Sequence, residues 1–280
     1  MIFDFHVHST YSDGSSTLDE IFREAKAHNA AAIAITDHDT VLGLHEENAL
    51  SIKYQIPFVS GVELTAVEGQ TKFHVLAYNV DPDSIELKEY SHKLLDFLIE
   101  KSKKQIKILQ SMGVSIEESE FFKESKGGPL YRAKLLSTLS RHGYFRSEDI
   151  MGQLQKYFGR GGLCYVEDEY KYPDFQSIYR LIKKNNGLIV LAHPAKIKGK
   201  NYKLYEELIH SSFLDGIELY HPSLNAEVEK ELDDIIKEKG LIFTGGSDYH
   251  GIYNKLKTPL CGINLPDVVY TNLYPFLKKR

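Results

Sequence analysis

Cysteine is scarce in this chain of 280 residues, with only Cys164 and Cys261, far apart and with no CxxC pair. That excludes a disulfide framework and a closed thiolate metal site. Long apolar runs are missing too: no segment approaches the ~20 residues of a membrane span. The opening MIFDFHVH has no basic stretch, and its apolar run is too short for a secretory signal. Positive charge is not in excess, the formal net charge being −5. A broad nucleic-acid-binding surface is therefore not expected, although a local basic pocket remains open. Neither a GxSxG nor a P-loop pattern occurs to suggest a serine nucleophile or a backbone phosphate cradle. These absences point to a cytoplasmic soluble protein, with no membrane partner and no obligate protein partner.

A hydrophobic content of 42% supports a sizeable core, and α/β barrels often run to this length as one domain. Short β-branched runs alternate with helical patterns, the signature of βα units. The expected strands are 2–7, 31–37, 57–64, 72–78, 188–194, 215–222 and 241–250. Ser16 or Thr17 can cap a helix running to about His28, with Asp19 and Glu20 suited to its positive end. A second helix is expected from Glu46 to Tyr54. Between about Ser84 and Tyr157 the rhythm breaks into helical stretches alone, with Gly113 and Gly143 where C-caps belong.

The unusual polar residues recur at the carboxyl ends of these strands: His6, His8, His38, Glu63, His193, Asp248 and His250. His74 is the exception, near the middle of its strand. In α/β barrels the strand carboxyl ends converge on one face, where active sites are built. A lone histidine near a strand end is usually structural, which suffices for His28, His45, His92, His142 and His210. The HxH pair differs, because alternate residues of an extended segment point the same way and can chelate. Asp13 follows five residues later. Imidazole and carboxylate donors suit Zn, Mn or Fe(II). Nine such donors exceed what one ion needs. Two or three ions, typically ~3.5–4 Å apart, would use them and clamp a phosphate.

The segments HVHSTYSDG, AITDHD (34–39), GVEL (61–64), FHVLAY (73–78), LAHP (191–194) and GGSDYHG (245–251) resemble, in order and spacing, the motifs of the PHP (polymerase and histidinol phosphatase) family. Within it the chain is most similar to the YciV/TrpH branch, through YFGRG (157–161) and LYHP (219–222). The resemblance implies an α/β fold, a distorted (β/α)7 TIM-like barrel, formed here by 1–83 and 158–280 with a helical insertion at 84–157 as a substrate-selecting cap. It implies a metal-dependent phosphoesterase acting on a phosphomonoester of a nucleotide or similar small molecule, either a nucleoside 3′,5′-bisphosphate or a monophosphate. Alternatives are a phosphatase for another metabolite such as histidinol phosphate, and a 5′→3′ exonuclease on short oligonucleotides. A metal-binding module without activity would be signalled by a missing ligand, and none is missing.

Carried over residue by residue, His6, His8, Glu63 and Asp248 would hold a first ion. Glu63 would bridge to a second ion bound by His74 and His193, and Asp13, His38 and His250 would complete a third site. The ions would be Mn, Fe or Zn, with Mg as a further candidate. Asp37 would orient ligands or water, or cap its strand end. His221 is a candidate to protonate a leaving oxygen or contact phosphate, or a structural residue before Pro222. Where the branch reads GRPHFAR, this chain has GGPLYRAK (127–134). Gly128 and Leu130 replace the arginine and histidine suited to a second phosphate. Arg132 would substitute if turned inward, Lys134 stands at the last arginine, and Arg160 is the retained phosphate-binding candidate.

Overall fold

The computed structural model describes residues 1–123, 129–146, 150–254 and 257–277. Strand β1 (Ile2–Val7) and β2 (Ala30–Ile35) pair in parallel, joined by helix α1 (Leu18–Ala27). Thr17 starts α1 through a capping box: its hydroxyl accepts from the Glu20 amide at 3.2 Å, and the Glu20 carboxylate accepts from the Thr17 amide at 2.7 Å. Such reciprocal capping satisfies two amides that have no partner inside the helix. Helix α2 (Leu44–Tyr54) follows.

The next strand differs from expectation. Strand β3 covers Gly61–Glu68 and not 57–64. Residues Phe58 and Glu63 make single parallel bridges to Ile33 and His38, so this stretch first runs beside β2 and its continuation. It then forms a hairpin with β4 (Thr71–Tyr78), in register from Gly61 opposite Tyr78 to Glu68 opposite Thr71. Gly69 takes the left-handed conformation (φ +59°) that this tight reversal requires. Strand β4 pairs antiparallel with β5 (Leu188–Leu191), while β5, β6 (Gly216–Tyr220) and β7 (Ile242–Gly245) run parallel.

Among the described residues the strands thus form a sheet of two and a sheet of five, and neither closes on itself. The reason is local: the β3–β4 hairpin reverses one strand, and the β1–β2 pair meets its neighbours only through single bridges, including Val7 with Tyr249. The molecule is an α/β fold.

On β4, successive side chains enter opposite cores. Val75 and Ala77 pack with Val62, Leu64 and Ile189, while Leu76 and Tyr78 pack with Phe3, Phe5 and Val190. Burial on both faces explains why these strands read as nearly continuous apolar runs. Helices α3 (Ile85–Ser111), α4 (Glu118–Phe122), α5 (Arg132–Arg141) and α6 (Ile150–Phe158) share a separate cluster built on Ile106, Leu109, Phe121, Leu136, Leu139 and Phe158. Gly113 (φ +92°) and Gly143 (φ +81°) end α3 and α5 as expected. Helix α7 (Phe175–Lys184) leads to β5, followed by α8 (Pro194–Lys198), α9 (Tyr202–Ile209), α10 (Ala226–Lys239) and α11 (Asp267–Leu273).

The two ends of the chain are clasped by Asp4. Its buried carboxylate accepts from the Ser247 amide (2.9 Å) and hydroxyl (2.6 Å), the Cys261 amide (2.9 Å) and the His6 amide (3.3 Å). Asp4→Ala leaves three buried donors and one partly buried donor without this acceptor, so it is expected to cost at least ~3 kcal/mol. A fall in the urea midpoint at constant m value would register this. A loss below ~0.5 kcal/mol, the size of an ordinary surface change, would refute the clasp.

Candidate metal centre

His6 is the penultimate residue of β1 and His8 comes just after the strand, both buried and on the same side. His193 and Asp248 come just after β5 and β7, each in the left-handed conformation (φ +30° and +53°). Non-glycine residues rarely adopt it, and such outliers gather where a side chain must be aimed. His74 reaches the same place from mid-strand because β4 runs antiparallel: its carbonyl accepts from the Ala192 amide, level with the carboxyl end of β5.

All nine expected donors converge around Glu63. Its Oε2 lies 3.1 Å from His6 Nε2, 3.2 Å from His8 Nε2 and 3.4 Å from His38 Nδ1. Its Oε1 lies 2.9 Å from His74 Nδ1 and 2.8 Å from His193 Nε2. Asp248 Oδ1 stands 3.5 Å and 3.4 Å from the Nε2 atoms of His6 and His8. On the other side Asp13 Oδ1 is 3.2 Å from His250 Nε2, 4.0 Å from His38 Nε2 and 3.9 Å from His8 Nδ1.

These donors fit divalent ions. Both ring nitrogens of His8, Nδ1 of His193 and Oδ1 of Asp13 are buried without a hydrogen-bond partner. Buried polar atoms rarely stay unpaired, because each costs ~1–3 kcal/mol. The donors also form overlapping groups whose atoms lie within 4.8 Å of one another: His6, His8, Glu63 and Asp248; His38, Glu63 and His74; and His8, Asp13, His38 and His250.

The charges have only each other in the bare protein. Burial opposes a proton on His8, yet Asp248 and Glu63 hold its pKa up to about 10. Burial prevails at His38, lowered to about 4, and at His193, lowered to about 3 with Lys196 adding repulsion. Despite burial, the surrounding histidines keep the Glu63 and Asp13 carboxyls below the ordinary range. Ion binding must expel protons from such a set, because imidazole ligates only when neutral.

Two contributors escaped the sequence reading. Glu218, on β6, accepts from His6 Nδ1 at 2.7 Å and from the His193 amide at 2.6 Å. The first bond leaves His6 Nε2 as the free donor facing Glu63. A carboxylate inside the apolar strand GIELY was the available signal. Lys196, in α8, donates to Asp248 Oδ2 at 2.7 Å and lines the adjoining cavity.

Other expected residues have different surroundings. Asp37 accepts from the Ser9 amide (2.8 Å), the Ser9 hydroxyl (2.5 Å) and the Ser12 hydroxyl, bracing the loop that carries Asp13. His221 Nδ1 accepts from the Ser223 amide at 3.0 Å, so its Nε2 proton faces Asp248 Oδ2 at 3.1 Å. Lys134 is buried and donates to the Thr10 carbonyl at 2.6 Å, tying α5 to the same loop. Arg160 is exposed in the turn after α6 and does not line the cavity, because Gly159, Gly161 and Gly162 reverse the chain there. Arg132 does line it. Leu130 is buried in the helical core, and Gly128 lies outside the described residues.

The cavity holds about 280 Å³, with Asp13, His38, Glu63, His74, His193, Asp248 and His250 among its lining residues. Lys196, Arg132, Tyr131, Met151, Leu154 and Tyr253 contribute to its walls.

The PHP domain family model matches residues 4–255. The chain belongs to the PHP domain family. It is 29% identical over 269 residues to the phosphoribosyl 1,2-cyclic phosphate 1,2-diphosphodiesterase of Eggerthella lenta, covering 95% of this chain and 100% of that protein. It is 26% identical over 267 residues to the 3′,5′-nucleoside bisphosphate phosphatase of Chromobacterium violaceum, covering 88% and 86%. In fold it is similar to a Bifidobacterium adolescentis protein assigned as a metal-dependent phosphoesterase, with a TM-score of 0.79, 23% identity and coverage of 97% and 95%. This PHP chain is a phosphoester hydrolase. Among its described residues no helix is long and apolar enough to cross a membrane.

Glu218→Gln is expected to weaken divalent-ion binding by about 10–100-fold, the usual cost of losing a partner that orients a ligand. Competition with a chromogenic chelator measures it, and wild-type affinity would refute the role of Glu218.

Proposed function

We propose that this PHP chain hydrolyses a phosphomonoester of a nucleotide or closely similar small molecule. The observation that carries this is the cavity of about 280 Å³ in which the carboxylate–imidazole cluster meets two cations, Lys196 and Arg132. It suits a small anionic ester, and few of its walls are charged enough to track a long polymer. Hydrolysis of a cyclic phosphate on a pentose phosphate is a second reading, supported by the match over the whole length of the Eggerthella lenta enzyme.

His6, His8, Glu63 and Asp248 would hold one ion, Glu63, His74 and His193 a second, and Asp13, His38 and His250 a third, taken from Mn, Fe, Zn or Mg. Bound divalent ions would supply Lewis-acid activation of the ester and of water. Glu63 suits the bridging place because each of its oxygens faces a different set of histidines. Lys196, held by Asp248, keeps a positive charge on the cavity wall for a phosphate oxygen or a departing alkoxide. Arg132 offers a planar fork for a phosphate. Asp37 and Lys134 would act through the loop 9–13 by fixing Asp13. His221 would keep Asp248 turned so that Oδ1 faces the histidines. Residues 84–157 would serve as the substrate-selecting cap, and the two sheets together would form an opened version of the (β/α)7 barrel, which the single bridges between them support.

The test is phosphate release by metal-stripped protein reconstituted separately with Mn, Fe(II), Zn and Mg. The substrates are 5′-AMP, 3′-AMP, adenosine 3′,5′-bisphosphate, a phosphoribosyl cyclic phosphate, a short RNA and histidinol phosphate. Turnover of a small nucleotide or ribosyl ester is expected, and silence with every metal would overturn the reading. Asp248→Ala should reduce kcat by at least ~10³-fold with an unchanged far-UV spectrum. Arg132→Ala should act mainly on KM, by about tenfold.

A further inference from the structure

Asp39, the last residue of the TDHD stretch, is not one of the nine donors, yet it is buried and left-handed (φ +55°). A non-glycine residue holds that conformation only where its surroundings fix it. Its Oδ1 accepts from the Thr65 amide at 2.7 Å and from the Tyr90 hydroxyl at 2.6 Å, and its Oδ2 from the Thr65 hydroxyl at 2.7 Å. Its own amide donates to the Glu63 carbonyl at 2.8 Å. Thr65 belongs to β3 and Tyr90 to α3, so this carboxylate ties the loop of His38 to the helical insertion as well as to the sheet.

Other contacts from the insertion reach the same side of the centre. The Tyr131 hydroxyl, at the start of α5, donates to the His38 carbonyl at 3.2 Å. The Lys134 ammonium donates to the Thr10 carbonyl, in the loop of Asp13, at 2.6 Å. Tyr253, whose amide donates to the His250 carbonyl at 3.3 Å, is buried in the core of the insertion with Leu136 and Leu139. Asp13, His38 and His250 are the donors that form one group with His8. The sheet side grips other donors: Glu218 holds His6 and the His193 amide, while Lys196 and His221 hold Asp248.

We propose that the helices α3 to α6 are a working part of the metal centre, with Tyr131, and Tyr90 acting through Asp39, as positioning residues for the ion of Asp13, His38 and His250. Retention of that ion follows the position of the insertion, whereas the donors gripped from the sheet keep their ions without it. By reciprocity, an ion in this set favours the position of the insertion that makes these bonds. The proposal rests on the division of donors given with the phosphoester reading and gives the insertion a duty beyond covering the cavity.

Titration of metal-stripped protein with Mn(II), the free ion being read by its paramagnetic resonance signal, counts ions without any turnover. His250→Ala should bind one ion fewer than the wild type. Tyr90→Phe with Tyr131→Phe removes two hydroxyls and leaves both rings; that same ion should then bind about 10–100-fold more weakly and the others within about twofold of the wild type. Added to His250→Ala, the two tyrosine changes should have no further effect, because they act on a site already lost. Each single Phe variant loses one hydroxyl and gives the same readout if the pair does not fold. Equal weakening of every ion, unchanged binding, or a further loss on top of His250→Ala would overturn the proposal. A full complement of ions in His250→Ala would remove the third donor set and the proposal with it. Ion binding as expected without cleavage of any ester would sink the phosphoester reading alone.

Discussion

The buried carboxylate of Glu63 is the constraint on which the rest of the molecule turns. Five imidazoles approach it within 3.4 Å, from β1, from the loop after β2, from β4 and from the turn after β5. No two of those elements could drift apart without leaving unpaired charge in a dry interior, where it is most expensive. The unusual backbone around the site follows from that requirement. His193 and Asp248 bend into the left-handed region to face inward, and the hairpin lets His74 enter from a strand that runs the other way.

Around this centre lie layers of restraint. Glu218 holds His6 and the backbone of His193, His221 and Lys196 hold Asp248, and Asp37 with Lys134 holds the loop that carries Asp13. Most of these restrainers are buried and spend their polar atoms on a neighbour. Lys196 and Arg132 are the cations that line the central cavity.

The convergence of the candidate donors was legible in the sequence because HxH, TDHD, the HP dipeptide and the terminal SDYH stretch each place a polar group at the edge of an apolar run. Helix ends were equally plain where capping chemistry is local, as at Thr17 with Glu20 and at Gly113 and Gly143. What could not be read depends on distant partners. The onset of β3 is decided by a hairpin with β4, not by the propensity of 57–60, which lies beside β2 instead. Glu218 looks like any interior carboxylate until His6 arrives from 212 residues away. Arg160 and Lys134 were expected at the phosphate because of their motifs, yet a glycine turn exposes the one and a backbone carbonyl claims the other.

The Asp4 clasp and the metal centre have one property in common: each joins the first few residues to the last third of the chain. During synthesis at ~5–20 residues per second, Asp4, His6 and His8 emerge on the order of ten to fifty seconds before Ser247, Asp248 and His250. Until then the histidine pair stands without the Asp248 carboxylate and the His250 ring that face it in the finished fold. Only the finished chain surrounds those histidines with carboxylates and closes them off from water. The full set of nine donors therefore exists only in the completed fold, once the two ends of the molecule have met.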